Sequence, residues 1–391
     1  NFCIKEPRHL YKKFLFLPLL QLYIMKQLTM FKFASPKTLL FSIFLLPFLI
    51  FGNYSYAVQE YSEEETSIER EEKDPNQPLE SQIEIIEHEL NEPIRGFLGE
   101  DAKIRIGGDM VYGTGDGANQ VYFPQFSVGL QGNITENNFF LVDWNIANMW
   151  RGNFEQSMMD ITLRNESIKN NKIYIGRMRP QVGIDGTVSS YHIPMIERAQ
   201  ISRTFAGVRD YGIKINGDYK YAKYSFGLFN GFRNELRHNP GSPDFSGMIV
   251  LIPMNSEKFG EFSIGGGYST GKRYYSYNVL SSYAKYSYKK LDIEAEYMHA
   301  DGYNGEVNSP DKAQGFYIMP TYHLNDNIEI LARYDVFDPN VNIGDNNSKE
   351  YTIGVNYYLA NRRIRLATNY VYADTPNGNS NRIMFMTQFR P

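Results

Sequence analysis

Cysteine is nearly missing from this sequence, and long apolar runs are missing from most of it. The one cysteine among 391 residues is Cys3, which excludes a disulfide framework and any Cys-paired zinc site, since both need more than one thiol. Beyond residue 57 no stretch reaches the ~18 consecutive apolar residues of a spanning helix, so helical membrane crossings have no support there. Neither sign of charge dominates: 40 Lys and Arg stand against 44 Asp and Glu, without the basic excess that binds nucleic acid. Tryptophan is limited to two residues, yet tyrosine and phenylalanine number 30 and 26. That aromatic load sits in a chain of mean hydropathy −0.43. Strands with one face toward lipid and the other toward water produce this combination, because every second residue is then polar.

Charge divides the chain into three regions. Residues 1–57 carry seven Lys/Arg and one acid, residues 58–101 three and 15, and residues 102–391 the remaining 30 and 28. In the first, Lys26, Lys32 and Lys37 precede the apolar run Leu39 to Phe51 and the small residues of Ser55-Tyr56-Ala57, the order of a cleaved secretory signal peptide. Cleavage after Ala57 is expected, with a start at Met25 or Met30 and an upstream segment before it. The second region reads as an acidic periplasmic linker with a short helix. Glu60 to Asp74 is too charged to offset its ordering entropy, and Leu79, Ile83, Ile86 and Leu90 then recur at heptad spacing, either as one amphipathic helix or as a short trimerising coil.

From Ala102 onward the pattern alternates with period two. Tyr351, Ile353, Val355, Tyr357 and Leu359 share one face while Glu350, Thr352, Gly354 and Asn356 share the other. The segments Ile328 to Val336 and Ile364 to Tyr372 repeat the arrangement. Alternating segments of about ten residues span a tilted barrel wall. Short polar turns at Thr135–Asn138, Lys169–Asn171, Asn216–Asp218, Asn255–Lys258, Tyr288–Lys290, Asn325–Asn327 and Ala360–Arg362 alternate with longer loops, the longest being Ile184 to Gly207. The expected fold is therefore all-β, a transmembrane antiparallel β-barrel over residues 102–391. It has about 16 strands (14–18), short periplasmic turns and long external loops. Pro124 and Pro320 fall inside strands and require bulges or shifted boundaries. Ile173 and Ile175 share parity with Arg177 and Arg179, which calls for a bulge or for the isoleucines to turn inward with the arginines. Tyr112, Tyr122, Tyr268, Tyr283, Tyr286, Tyr297 and Tyr372 are expected in interfacial girdles.

A barrel this wide admits water, and its selectivity then falls to side chains that narrow and charge the lumen. Arg198 and Arg203 lie in the longest loop, with Arg177 and Arg179 before it and Arg209 after it. Guanidinium groups pair bidentately with phosphate or carboxylate oxygens, so these five are the candidate pore and anion-binding residues. Asp292, Glu294 and Glu296, alternating on one strand, leave mixed selectivity open.

At these residues the chain resembles the phosphate-selective porin O and P family. Gly176 to Gly183 (GRMRPQVG) is similar to that family's strand leading into its constriction loop. Ile193 to Arg198 (IPMIER) resembles its apolar stretch ending in Glu-Arg, and Gly207 to Gly217 (GVRDYGIKING) the strand that follows; Gly315 to Tyr372 is also similar. The resemblance implies a trimeric, water-filled outer-membrane barrel whose third external loop folds inward, passing small anions such as phosphate or polyphosphate, with surrounding lipid as its other partner and no cofactor. Two other classes compete with this reading. A surface-exposed structural or adhesive barrel would use the loops. An outer-membrane hydrolase would need a nucleophile and base, whereas His192, His238, His299 and His323 lie apart, with no Ser-His-acid pattern.

Overall fold

The computed structural model describes residues 83, 84, 91, 101–115, 118–231, 243–272, 274–305 and 309–391. The expected signal segment, the acidic linker and most of the heptad stretch lie outside these residues. Sixteen strands follow one another: β1 (Lys103–Gly115), β2 (Ala118–Thr135), β3 (Asn138–Asn145), β4 (Met158–Asn165), β5 (Asn171–Met178), β6 (Asp210–Tyr219), β7 (Ala222–Phe229) and β8 (Asp244–Ser256). The second half comprises β9 (Gly260–Lys272), β10 (Ser276–Tyr288), β11 (Leu291–Asp301), β12 (Lys312–Asn325), β13 (Ile328–Asp338), β14 (Ser348–Leu359), β15 (Ile364–Thr375) and β16 (Gly378–Phe389). Each pairs antiparallel with its sequence neighbours, and β1 closes onto β16 from Gly108↔Phe389 to Gly115↔Arg382. Closure leaves no unpaired edge, as lipid requires of a β-structure. No helix among the described residues is long and apolar enough to cross a membrane.

The period-two pattern assigns the faces. On β14, Tyr351, Ile353, Val355 and Tyr357 are exposed on the outer wall, whereas Glu350, Thr352, Asn356 and Tyr358 are buried toward the lumen. Aromatic side chains line up across neighbouring strands on that wall. Phe316, Tyr334, Tyr351 and Tyr372 form one row with centroid separations of 5.8, 4.9 and 6.0 Å. Such rows suit the boundary between hydrocarbon and water. Two of the expected girdle tyrosines belong elsewhere: Tyr283 is buried on the lumen face of β10, and Tyr122 packs against the interior cluster of Val111, Ala367, Val371, Met384 and Met386.

The two awkward prolines sit where the ladder breaks. The β1–β2 register shifts between Asp109 and Val111, opposite Phe123-Pro124. On β12, Pro320 faces Ile293 of β11, and the β13 pairing skips from Ile318↔Tyr334 to Thr321↔Leu331. Most short turns fall as read, though β6 continues to Tyr219, past the expected turn at Asn216–Asp218. Three of the connections expected as longer loops, the first, fifth and eighth, are as short as the turns, because the strands extend into them: two residues separate β1 from β2 and β15 from β16, and three separate β9 from β10. Between β3 and β4 the connection folds into α1 (Ile146–Trp150), capped by the Asn145 side chain, and α2 (Phe154–Ser157).

Neither resolution proposed for the β5 parity conflict occurs. The β5–β6 register is unbroken from Asn171↔Gly217 to Met178↔Asp210, and Ile175 stays on the outer wall beside Ile213. Arg177 keeps the parity of the isoleucines, yet its guanidinium is buried: Nε donates to Met158 O at 2.9 Å and Nη1 to Arg209 O at 3.5 Å. Backbone carbonyls, not the lumen, receive this charge.

Candidate functional site

The segment between β5 and β6, the longest of the expected loops, turns into the barrel. Its two limbs meet at a neck, where a Cβ added to Gly186 would lie 2.1 Å from Ala206 Cβ and 3.5 Å from Gly207 N. On the outgoing limb, Ser246 Oγ donates to Gln181 O at 2.6 Å and Ile184 N donates to Glu296 Oε1 at 2.8 Å. At the far side Tyr191 OH and Ser127 Oγ are 2.5 Å apart, and Gln388 Nε2 donates to Ser190 O at 3.4 Å. Returning, the loop receives Asn356 Nδ2 on Pro194 O at 3.0 Å and Arg333 Nη1 on Glu197 O at 2.9 Å. Ile196 N donates to Asn369 Oδ1, and Gln200 N to Asp335 Oδ2, each at 2.8 Å. The loop is thus tied to β2, β8, β11 and β13–β16.

Packing reinforces these bonds. Residues Gln200–Phe205 form α3, whose Ile201 and Phe205 are buried in an interior cluster with Val182, Met195, Val279, Met298, Ala300, Ala313, Tyr317 and Leu331. A lumen wall is ordinarily polar; here β10–β13 present apolar residues inward, and α3 covers them. The sequence carried this signal at two positions, since Tyr317 stands between Phe316 and Ile318, and Leu331 between Ile330 and Ala332. Glu296, one of the three alternating carboxylates, is buried and holds the outgoing limb. Its neighbour Glu294 accepts from Tyr317 OH at 2.7 Å, and Asp292 meets His323 at 3.2 Å.

The five candidate arginines separate into distinct roles. Arg177 is spent on carbonyls, as described. Arg203 Nη1 and Nη2 pair with Glu197 at 3.1 Å and Glu350 at 2.8 Å, and Arg382 joins the same two carboxylates at 3.2 and 3.5 Å. Although burial works against its charge, Glu350 and Glu197 raise the Arg203 pKa further. Arg198 donates to Asp185 O and, at 2.6 Å, to Val188 O. Arg209 grips Asp160 with two bonds of 3.0 and 3.1 Å. Arg179 Nη1 shares the Val188 carbonyl at 3.2 Å, while its Nε is buried with no hydrogen-bond partner among the described residues. Burial, with the nearby charges of Arg209 and Arg198, lowers the Arg179 pKa to about 9, so it stays cationic at neutral pH.

Arg179, Arg198 and Arg209 are therefore brought together, and Lys214 of β6 completes the group by donating Nζ to Arg179 O at 3.2 Å. Lys214 was not among the candidates. It shares the lumen-facing parity of Gly212 and Asn216, opposite the outward Ile213 and Ile215, and that parity could have singled it out. Four cations here face three carboxylates, Asp143, Asp160 and Asp185. The surplus is positive, and one guanidinium edge is not committed to protein. No group of His, Cys, Asp and Glu among the described residues has the arrangement of a metal site.

Residues 263–386 match the model of the family described as phosphate-selective porin O and P. The match runs from β9 into β16 and so includes Gly315 to Tyr372, whereas the third loop lies outside it. No curated protein matches the chain. Solved structures with a similar fold include an anion-selective porin from Comamonas acidovorans, at 12% identity and TM-score 0.53 over 74% of this chain and 99% of that one. Salmonella typhi OmpF in complex with daunomycin is similar at 14% identity and TM-score 0.52, over 74% and 97% of the two chains. Pseudomonas putida OprB, in its high-pH structure, is similar at 11% identity and TM-score 0.54, over 76% and 96%. At such identities the likeness is one of fold.

Proposed function

We propose that this chain is an outer-membrane porin of the phosphate-selective porin O and P family, whose model it matches over residues 263–386, and that it passes small hydrophilic anions, phosphate among them, through a lumen narrowed by its third loop. Family and fold point to a channel and away from an enzyme. The anion preference rests on one observation, the convergence of Arg179, Arg198, Arg209 and Lys214 beside three carboxylates, Asp143, Asp160 and Asp185, which leaves the cations in excess. Pre-organised cations at a constriction replace part of an anion's hydration and repel cations.

Arg179 and Lys214 are the groups assigned to the permeant ion; Arg177, Arg198 and Arg203 hold the loop, and Arg209 sets the position of Asp160. In planar bilayers the purified protein should give ohmic current steps, and millimolar phosphate should reduce the chloride current. The double variant Arg179→Gln/Lys214→Gln should lower the chloride-to-potassium permeability ratio by about threefold or more, since two charges leave a low-dielectric constriction. An unchanged ratio would remove both from the path.

His192, on the same loop, adds a pH dependence. Burial and the cations Arg390, Arg105 and Arg365 hold it below its ordinary value of 6.5. A lowered pKa means that the ring is neutral at pH 7 and gains its proton only as pH falls beneath that value. Anion preference should therefore rise between about pH 7 and about pH 5 more steeply in the wild type than in His192→Asn. Parallel curves would show that other groups carry the change.

A homotrimer in lipid completes the proposal. Strands β3, β4, β5 and β7 have eight residues each, short of the ~9–11 that cross a bilayer. A wall built from them suits contact with further copies, and cross-linking in native membranes should yield a three-chain product.

A further inference from the structure

At the end of the lumen that carries the short turns, a second set of charges lies apart from the arginine cluster. A cavity of about 250 Å³ opens there, lined by His192, Lys285, Asp292, Glu294, Glu329, Tyr358, Arg362 and Arg390 among others. That volume is just under the roughly 300–1,000 Å³ of pockets for drug-sized ligands, so its occupant is a small solute.

Charge in the cavity is separated along its length. At one end the guanidinium groups of Arg362 and Arg390 lie 3.6 and 4.9 Å from the centre of the same ring, Tyr358. Two like charges are gathered there by cation–π attraction. Glu329 pairs with Arg362 at 2.7 Å, and Arg390 donates Nε to Gln388 Oε1 at 3.1 Å; among the described residues no carboxylate forms an ion pair with Arg390. At the other end Asp292 and Glu294 occupy successive lumen positions of β11, with Lys285 in register beside Glu294. His323 lies between the ends, 3.2 Å from Asp292 and 3.4 Å from Glu329. Three cations and three carboxylates line the whole, Lys285, Arg362 and Arg390 against Asp292, Glu294 and Glu329, yet the surplus is positive at Tyr358 and negative at Asp292.

A solute with a single charge gains at one end of such a cavity and is repelled at the other. A solute carrying both signs gains at both. We propose that this cavity binds small zwitterions, molecules that join a carboxylate to an ammonium by a short polar chain. The carboxylate lies on Arg390 and Arg362, and the ammonium on Asp292 and Glu294. The site deepens the channel reading and rests on it, because the solute must enter the lumen to arrive.

The test uses the full chain, folded in detergent micelles, and ligand-observed NMR with three probes of similar size. Glycylglycine carries both charges, N-acetylglycylglycine only the carboxylate and glycylglycinamide only the ammonium. Glycylglycine should bind about tenfold more tightly than either counterpart, the worth of one added charge-assisted contact. Arg390→Gln should reduce its affinity to that of the amide, and Asp292→Asn to that of the acetylated probe. Equal affinity of the three probes for the wild type, or no binding of glycylglycine, overturns the proposal without recourse to any variant. Conductance in bilayers is measured separately, so a chain that binds glycylglycine but carries no current overturns the channel reading alone.

Discussion

Removing residues 187–206 and joining Gly186 to Gly207 through a single glycine is expected to leave the barrel closed and to raise single-channel conductance severalfold. The neck makes the excision possible, because the two glycines are close: a Cβ added to Gly207 would lie 3.5 Å from Gly186 O. The loop makes the effect large. A barrel of 16 strands encloses an aqueous channel, and here α3 and the chain around it occupy the interior from β10–β13 across to β2. Every bond from Tyr191, Pro194, Ile196, Glu197 and Gln200 to the wall would be lost, while the strand ladder that closes the barrel involves none of them. Conductance in planar bilayers checks the outcome, with the heat-modifiable migration of folded barrels on gels as the control for folding. An excised chain that folds and conducts as the wild type would show that the loop does not set the current.

The second large effect concerns Gly176. Its φ is +131°, a region that residues with a Cβ rarely occupy, and a Cβ built there would stand 2.0 Å from Ile161 O. That oxygen belongs to the neighbouring strand β4 and cannot swing aside as a flexible side chain could. Gly176→Val should therefore cost roughly 3 kcal/mol or more and prevent β5 from docking, so that refolding into micelles yields no heat-modifiable band. Gly344 is the matched control, since nothing lies within 4 Å of its would-be Cβ. Gly344→Ala should fold with wild-type yield. Normal folding of Gly176→Val would mean that β5 can slip past its partner.

Much of the barrel was legible because the two physical demands on a spanning strand both write themselves into sequence. Alternation marks the two faces, as in Tyr351 to Leu359, and turn residues mark the short ends, as at Asn325–Asn327. The inward loop was implied by the resemblance over Gly176 to Gly217, and the hydrogen bonds of that segment run to β2, β11 and β13–β16. The roles of the arginines were not legible. Arg198 ends on the carbonyls of Asp185 and Val188, and Arg177 on those of Met158 and Arg209. A main-chain carbonyl is present at every residue and leaves no mark in a pattern of side chains. Arg203 and Arg382 share Glu197 and Glu350, and because Arg203 and Glu350 lie 147 positions apart and Glu197 and Arg382 185, only the closed barrel brings the four together. Lys214 escaped for the opposite reason, since it looked like an ordinary polar position of a strand.

The wiring of the third loop also imposes an order in time. Its bonds reach residues as far as 135, 173 and 198 positions further along the chain, at Asp335, Asn369 and Gln388. Contacts of such long range form late, because a long stretch of chain must be organised before they can be made. The loop can be seated only once β13–β16 are in place. During assembly the lumen therefore stays unobstructed until the last strands arrive, and a nascent barrel stalled short of β16 would be a far leakier object than the finished one.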